Sequence, residues 1–208
     1  MKKNHLIKYL LISPSLPVGG FCYSEGLESY LSIKNLQESE NIKELIKNEL
    51  EASISSLNTA KKINPNDEQL KRMLGNAHYK FANSLLLKND INRAISSYKN
   101  ALSSNPNQLS AANRLAITLA TTNDTKYQKP KEALAVAARL CQITKNQNPD
   151  FLDTLSIAYA ANNNYQSAKQ ASLKAIELWG ENNNEKRINA ALNRIKGFER
   201  QISEKQQK

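Results

Sequence analysis

Between residues 67 and 180 the apolar positions recur at i, i+3, i+4 and i+7, the spacing that lines one face of an α-helix. The pattern also repeats at longer range. Phe81-Ala82 with Leu85 returns 34 residues later as Leu115-Ala116 with Leu119, and again as Leu155-Ser156 with Tyr159. Each triplet predicts the first helix of a pair. Ala94, Tyr98, Ala101 and Pro106 follow the first; Ala133, Ala137, Leu140 and Pro149 the second; Ala168, Ser172, Ala175 and Gly180 the third. These predict the second helix and its stop. Small side chains at Ala82, Ala94, Ala101, Ala116, Ala133 and Ala168 let helix axes approach closely, so these alanines are expected contact points.

Asn89-Asp90 and Asn162-Asn163-Asn164 read as short turns, because Asn and Asp tolerate left-handed backbone. The pairs are therefore expected to be antiparallel hairpins. In the middle pair the turn is widened to about Thr121–Lys129, and Pro130 opens the next helix, where its missing N–H is not needed. Upstream, Ile54, Leu57, Ala60 and Pro65 repeat the spacing of Ile95, Tyr98, Ala101 and Pro106, predicting a lone second-type helix over 51–66. Downstream, Asn184–Gln206 places Ile188, Leu192, Ile195 and Ile202 on one stripe among charged residues, as a soluble terminal cap requires.

The stretch Phe81 to Pro106 resembles the tetratricopeptide repeat family, with its Leu-Gly/Ala-x-x-Tyr, Ala-x-x-x-Phe-x-x-Ala and closing Pro. Asn148-Pro149-Asp150-Phe151-Leu152 and the residues after it look like a variant of the same pattern. The resemblance implies an all-α chain in which antiparallel helix pairs stack into a right-handed superhelical solenoid, closed by a C-terminal capping helix.

Residues 7–50 do not follow that period. The run Leu10-Leu11-Ile12-Ser13-Pro14-Ser15-Leu16-Pro17-Val18-Gly19-Gly20-Phe21-Cys22-Tyr23-Ser24-Glu25-Gly26-Leu27-Glu28 resembles the opening of the UreF family of urease accessory proteins. The resemblance implies a short helical N-terminal segment: a helix near Ile7–Ile12, a turn at Gly19-Gly20, a helix over about Ser24–Leu31 and another from about Glu38. Pro14 and Pro17 would end the first helix and Ser24 would cap the next. Members of that family are helical and non-enzymatic, and join other accessory proteins in delivering nickel to urease. The rest of that family's bundle has no counterpart here. The expected organisation is thus 1–50, UreF-like; 51–66, an orphan helix; 67–180, repeats; and 181–208, cap and tail.

Charge changes the picture little. Of the net +10, residues 1–50 contribute nothing, with six lysines against six glutamates, so the surplus lies in the repeat region. Four Phe and one Trp offer few stacking platforms and the cations are dispersed, which favours a solvated basic surface over a nucleic-acid site. Cys22 and Cys141 lack partners at metal-ligand spacing and read as thiols in a reducing, cytoplasmic setting. Pro14 and Pro17 interrupt the only candidate leader, and nothing approaches a membrane span. His5 and His78 are the only histidines; His78 is read as opening a repeat helix in a packing position. Gly19-Gly20 lacks a phosphate loop's lysine. No cofactor, metal or catalysis is expected.

Binding remains. Stacked helix pairs curve so that their first helices line a concave groove. By helical phase that groove should present Tyr79, Asn83, Leu86, Asn113, Arg114, Ile117, Asp153 and Ile157 to a peptide or helix of a protein partner. Some family members grip a terminal carboxylate with paired cations and asparagines. Here Asn83 and Asn113-Arg114 fit, but Tyr79 stands at a lysine position and Asp150 and Thr154 replace cations, so no tight clamp is expected. Two other readings stay open: urease accessory proteins as partners through residues 1–50, and a basic RNA-binding repeat.

Overall fold

The protein is described by a computed structural model covering residues 36–180 and 184–206, with side chains from residue 41. The expectations for Ile7–Ile12, Gly19-Gly20, Cys22 and Ser24–Leu31 lie outside the described residues. The chain divides into two compact units, Met1–Glu40 and Asn41–Lys208. Among the described residues there are eight helices and no strand: α1 (Leu36–Ile63), α2 (Glu68–Leu87), α3 (Ile91–Ser104), α4 (Leu109–Thr121), α5 (Pro130–Ile143), α6 (Pro149–Ala161), α7 (Tyr165–Gly180) and α8 (Glu185–Gln206). None is long and apolar enough to cross a membrane.

Pairing follows sequence order. Helix α2 packs on α3, α4 on α5 and α6 on α7; α3 then meets α4, α5 meets α6, α4 meets α6, and α8 lies on α7. The six alanines expected at the contacts are all fully buried, at 0% exposure, which is what lets these axes close up. In the third pair two serines share that role with Ala168. The Ser156 hydroxyl donates to the Ala168 carbonyl at 2.8 Å and lies 2.6 Å from the Ser172 oxygen, so two buried hydroxyls satisfy each other and the backbone.

The punctuation works by local chemistry. The Asp67 carboxylate accepts from the N–H groups of Gln69 and Leu70, Asp90 from Arg93, and Asn148 from Asp150 and Phe151, capping α2, α3 and α6. Asn89 (φ 57°) and Asn163 (φ 59°) take the left-handed conformation at the two short turns, as their residue type suggested. Lys145 (φ 51°) and Asn146 (φ 57°) do the same after α5. The wide turn spans 122–129 and is closed by the Lys129 N–H on the Leu119 carbonyl at 2.9 Å.

Two features differ from the sequence reading. Helix α1 runs unbroken through residue 50, where a segment boundary was expected, and buries Ile46 and Leu50 upstream of it. Ile54, Leu57 and Ala60 are only half-buried. Helix α1 does not approach the other helices as closely as they approach one another; ion pairs from Glu44 to Lys88 and from Glu51 to Arg93 (2.7 Å) fasten it. Helix α2 begins at Glu68, so His78 lies mid-helix rather than opening it. At Gly75 a Cβ would sit 2.8 Å from both Asn105 Cβ and Gln108 Oε1, so only glycine admits the α3–α4 connection at that distance.

Candidate protein-binding groove

All eight candidate residues fall on α2, α4 and α6, the first helices of their pairs, and all are half-buried. Tyr79, Asn83 and Leu86 are on α2, Asn113, Arg114 and Ile117 on α4, and Asp153 and Ile157 on α6. Half-burial is what a side chain shows when part of it packs between helices and part faces an opening. Thr154, named beside them, is instead buried, with its hydroxyl donating to the Asp150 carbonyl at 3.0 Å.

The α2 group is built on a residue from the second helix. Tyr98 of α3 is fully buried, and its hydroxyl donates to Asn83 Oδ1 at 2.6 Å. Its ring lies against Tyr79, with centroids 6.2 Å apart and a 46° tilt. Burial pushes the Tyr98 phenol well above its usual range, the positive charge of Arg114 opposing that shift. Tyr98 therefore stays a neutral donor and holds the Asn83 amide in one orientation.

The α6 end is set by α8. Arg194 pairs with Asp153, and Arg187 with Asp150, whose Oδ1 also accepts from Trp179 Nε1 at 3.1 Å. Burial raises the Asp153 carboxyl above its ordinary value while Arg194 pulls it back. Both carboxylates at this end are thereby matched within the chain. Sequence reading missed these pairs; the signal was a seven-residue Arg187/Arg194 spacing, two helical turns, against the Asp150/Asp153 spacing of one turn.

Elsewhere the chemistry is muted. Among the described residues no group of three His, Cys, Asp or Glu side chains converges to hold a metal. Burial lifts the Cys141 thiol to about 11, Lys174 opposing it, so it is protonated at neutral pH and a poor nucleophile. His78 is depressed by burial and by the charge of Lys61. Two shallow depressions include none of the eight candidate residues in their lining, one formed by Lys129–Glu132 and Ala161–Asn163, the other by residues that include Asn92, Ser96, Lys99, Lys126 and Tyr127.

Comparison with known proteins agrees with the helix-pair fold. Residues 75–108 match the tetratricopeptide repeat family. They span most of α2, all of α3 and the turn to α4. The solved structure of yeast Tom70 is similar over 94% of this chain and 40% of its own, with TM-score 0.56 and 18% identity. The P58(IPK) tetratricopeptide domain is similar over 88% of this chain and 52% of its own, at TM-score 0.51 and 19% identity. At that identity the likeness is one of fold.

A separate likeness covers a 50-residue segment. It is 82% identical to the urease accessory protein UreF of Prochlorococcus marinus subsp. pastoris (strain CCMP1986 / NIES-2087 / MED4) and 72% identical to that of Prochlorococcus marinus strain MIT 9215. Each match takes in 24% of this chain, which spans only 22% of the length of those relatives. The chain thus joins a UreF-like segment to a tetratricopeptide-like array.

Proposed function

We propose that the tetratricopeptide-like helix pairs form a non-catalytic scaffold that takes a protein partner, as a peptide or a helix, along the face carrying Tyr79, Asn83, Leu86, Asn113, Arg114, Ile117, Asp153 and Ile157. One observation carries the reading: these eight side chains lie on three successive first helices and none of them is fully enclosed. The array's fold favours it as well, since stacked helix pairs offer a long continuous surface for a chain-like ligand. Substituting Tyr79, Asn83 and Asn113 together by alanine should abolish capture of peptides selected from a synthetic array while the chain keeps near-wild-type helicity at the assay temperature, with a thermal midpoint lowered by the lost Tyr98–Asn83 hydrogen bond and Tyr79 ring contact. Unchanged capture would place the binding face elsewhere.

A second reading rests on the 82% identity over 50 residues: association with urease accessory proteins through the UreF-like segment. Deleting residues 1–35, which leaves α1 whole, should then remove co-purification with such proteins but not the peptide capture above. Retained co-purification would count against that reading.

A further inference from the structure

The α4–α5 turn departs from the repeat period. It takes eight residues, 122–129, where the α2–α3 and α6–α7 turns take three each, 88–90 and 162–164. Long connections on a rigid scaffold are where binding residues gather. This one is ordered by its own hydrogen bonds. The Asp124 carbonyl accepts from the N–H groups of Tyr127 and Gln128 at 2.9 and 3.0 Å, and its carboxylate from the N–H of Lys126 at 3.0 Å. The Lys129 N–H then closes the turn on α4.

The extra chain walls off a depression of about 390 Å³ against α3. Asn92, Ile95, Ser96 and Lys99 supply the α3 side, at the i, i+3, i+4, i+7 spacing of one helical face. Aliphatic surface from half-buried Ile95 and buried Leu119 meets three cations there, Lys99, Lys126 and Lys129. Glu132 already matches Lys99 at 2.7 Å. Among the described residues no carboxylate pairs with Lys126 or Lys129, nor with Lys131 in the adjoining depression, which shares Lys129. Unmatched positive charge beside apolar surface attracts an anionic ligand that has an aliphatic part.

Shape and lining decide which ligand. An open depression cannot enclose most of a small molecule, as a ligand pocket does, but a chain segment gains further contact by running on toward Lys131. A nucleic-acid strand calls for aromatic platforms. Tyr127 is the one aromatic side chain in the two linings, and the Lys126 ammonium already lies over its ring, 5.2 Å from the centroid. An acidic peptide needs neither enclosure nor stacking.

We propose that the depression between α3 and the α4–α5 turn is a second binding site, which takes an acidic peptide segment of a partner protein. An aliphatic side chain of the segment lies against Ile95 and Leu119, and flanking carboxylates meet Lys126 and Lys129. None of the eight first-helix candidates lines this site, so it stands or falls independently of the scaffold reading above.

The test titrates the full chain with short end-blocked peptides carrying Leu between pairs of Asp or Glu, and with counterparts in which Asn and Gln replace the acids. In about 50 mM salt the acidic peptides should bind at least about tenfold more tightly, and most of that advantage should be gone at about 500 mM. Lys126→Glu/Lys129→Glu should weaken their binding by about tenfold or more and gain affinity for peptides with Lys in place of the acids, with Lys126→Gln/Lys129→Gln in between. Lys62→Glu/Lys196→Glu makes the same change of net charge at exposed positions of α1 and α8 and should bind as wild type does. The triple alanine variant at Tyr79, Asn83 and Asn113 should as well. All four lysines are exposed, so the variants should keep wild-type helicity by circular dichroism. Equal weakening by both charge-reversed pairs would reduce the effect to net charge and overturn the proposal. A loss seen only in the triple variant would move the peptide to the first helices and overturn it too. An oligothymidine strand that displaces the peptides and binds more tightly would make this a nucleic-acid site instead. Acidic peptides that bind no better than their neutral counterparts would end the proposal and leave the first-helix reading untouched.

Discussion

Tyr98→Phe separates the hydrogen bond that orders Asn83 from the packing that surrounds it. The ring stays, fully buried and against Tyr79, and only the hydroxyl donating to Asn83 Oδ1 is removed. A neutral hydrogen bond of this kind contributes about 0.5–1.5 kcal/mol net, so at pH 7 the variant should unfold at lower urea by that amount. Alkaline pH reverses the comparison. Burial raises the Tyr98 pKa above its ordinary value of 10.0, so the unfolded chain ionises first. A group whose folded pKa is raised lends stability that is complete below the unfolded pKa and is lost as pH rises beyond it. That loss amounts to about 1.4 kcal/mol per pH unit for one proton. The variant's phenyl ring has no such proton. The stability difference should therefore shrink above about pH 9.5, vanish between about pH 10 and 11, and change sign beyond that. Urea titrations followed by helical circular dichroism at about pH 7, 10 and 11 measure it, with the remaining tyrosines common to both proteins. A difference that stays constant with pH would show that the phenol is not held neutral by its surroundings.

Gly75→Ala gains about 1 kcal/mol of helix propensity but drives a Cβ to 2.8 Å from Asn105 Cβ, which is fixed by the backbone of the turn and cannot swing away. The expected net result is a loss of about 1–3 kcal/mol, seen as a lower thermal midpoint; an equal or higher midpoint would refute the close approach. Arg194→Met strips Asp153 of its partner and leaves a half-buried carboxylate, for a deficit of about 2 kcal/mol at pH 7. Because the Asp153 pKa is raised in the folded state, and rises further without Arg194, this deficit should shrink as pH falls toward the carboxylate's unfolded value near about 4. Denaturant midpoints at pH 7 and pH 4 that differ equally from wild type would contradict that account.

The helix pairs were legible because their contacts depend on residue size at fixed spacing. Ala82, Ala94 and Ala101 announce where axes meet, and Asn89 and Asn163 announce where the chain reverses, from neighbours within one or two turns. That the eight candidate side chains would fall on first helices was legible for the same reason, since the repeat period assigns each of them to α2, α4 or α6. What phase does not carry is partnership across the fold. The Tyr98 hydroxyl reaches back 15 residues, and Arg187 and Arg194 reach 37 and 41 residues to their aspartates, distances over which no local pattern constrains the match. The continuity of α1 was missed because two different patterns meet near residue 50, and a helix can carry both without a break when no Pro or Gly intervenes.

The fastening of α1 bears on how the molecule yields under stress. Two charge pairs, Glu44–Lys88 and Glu51–Arg93, hold it to the end of α2 and to α3, whereas the later helices meet through buried alanines. Added electrolyte weakens the first kind of attachment and spares the second. Amide exchange should therefore run fastest along 41–63 and slow toward α4 to α7, so that the chain frays from one flank inward while the face bearing Asn113 is still intact.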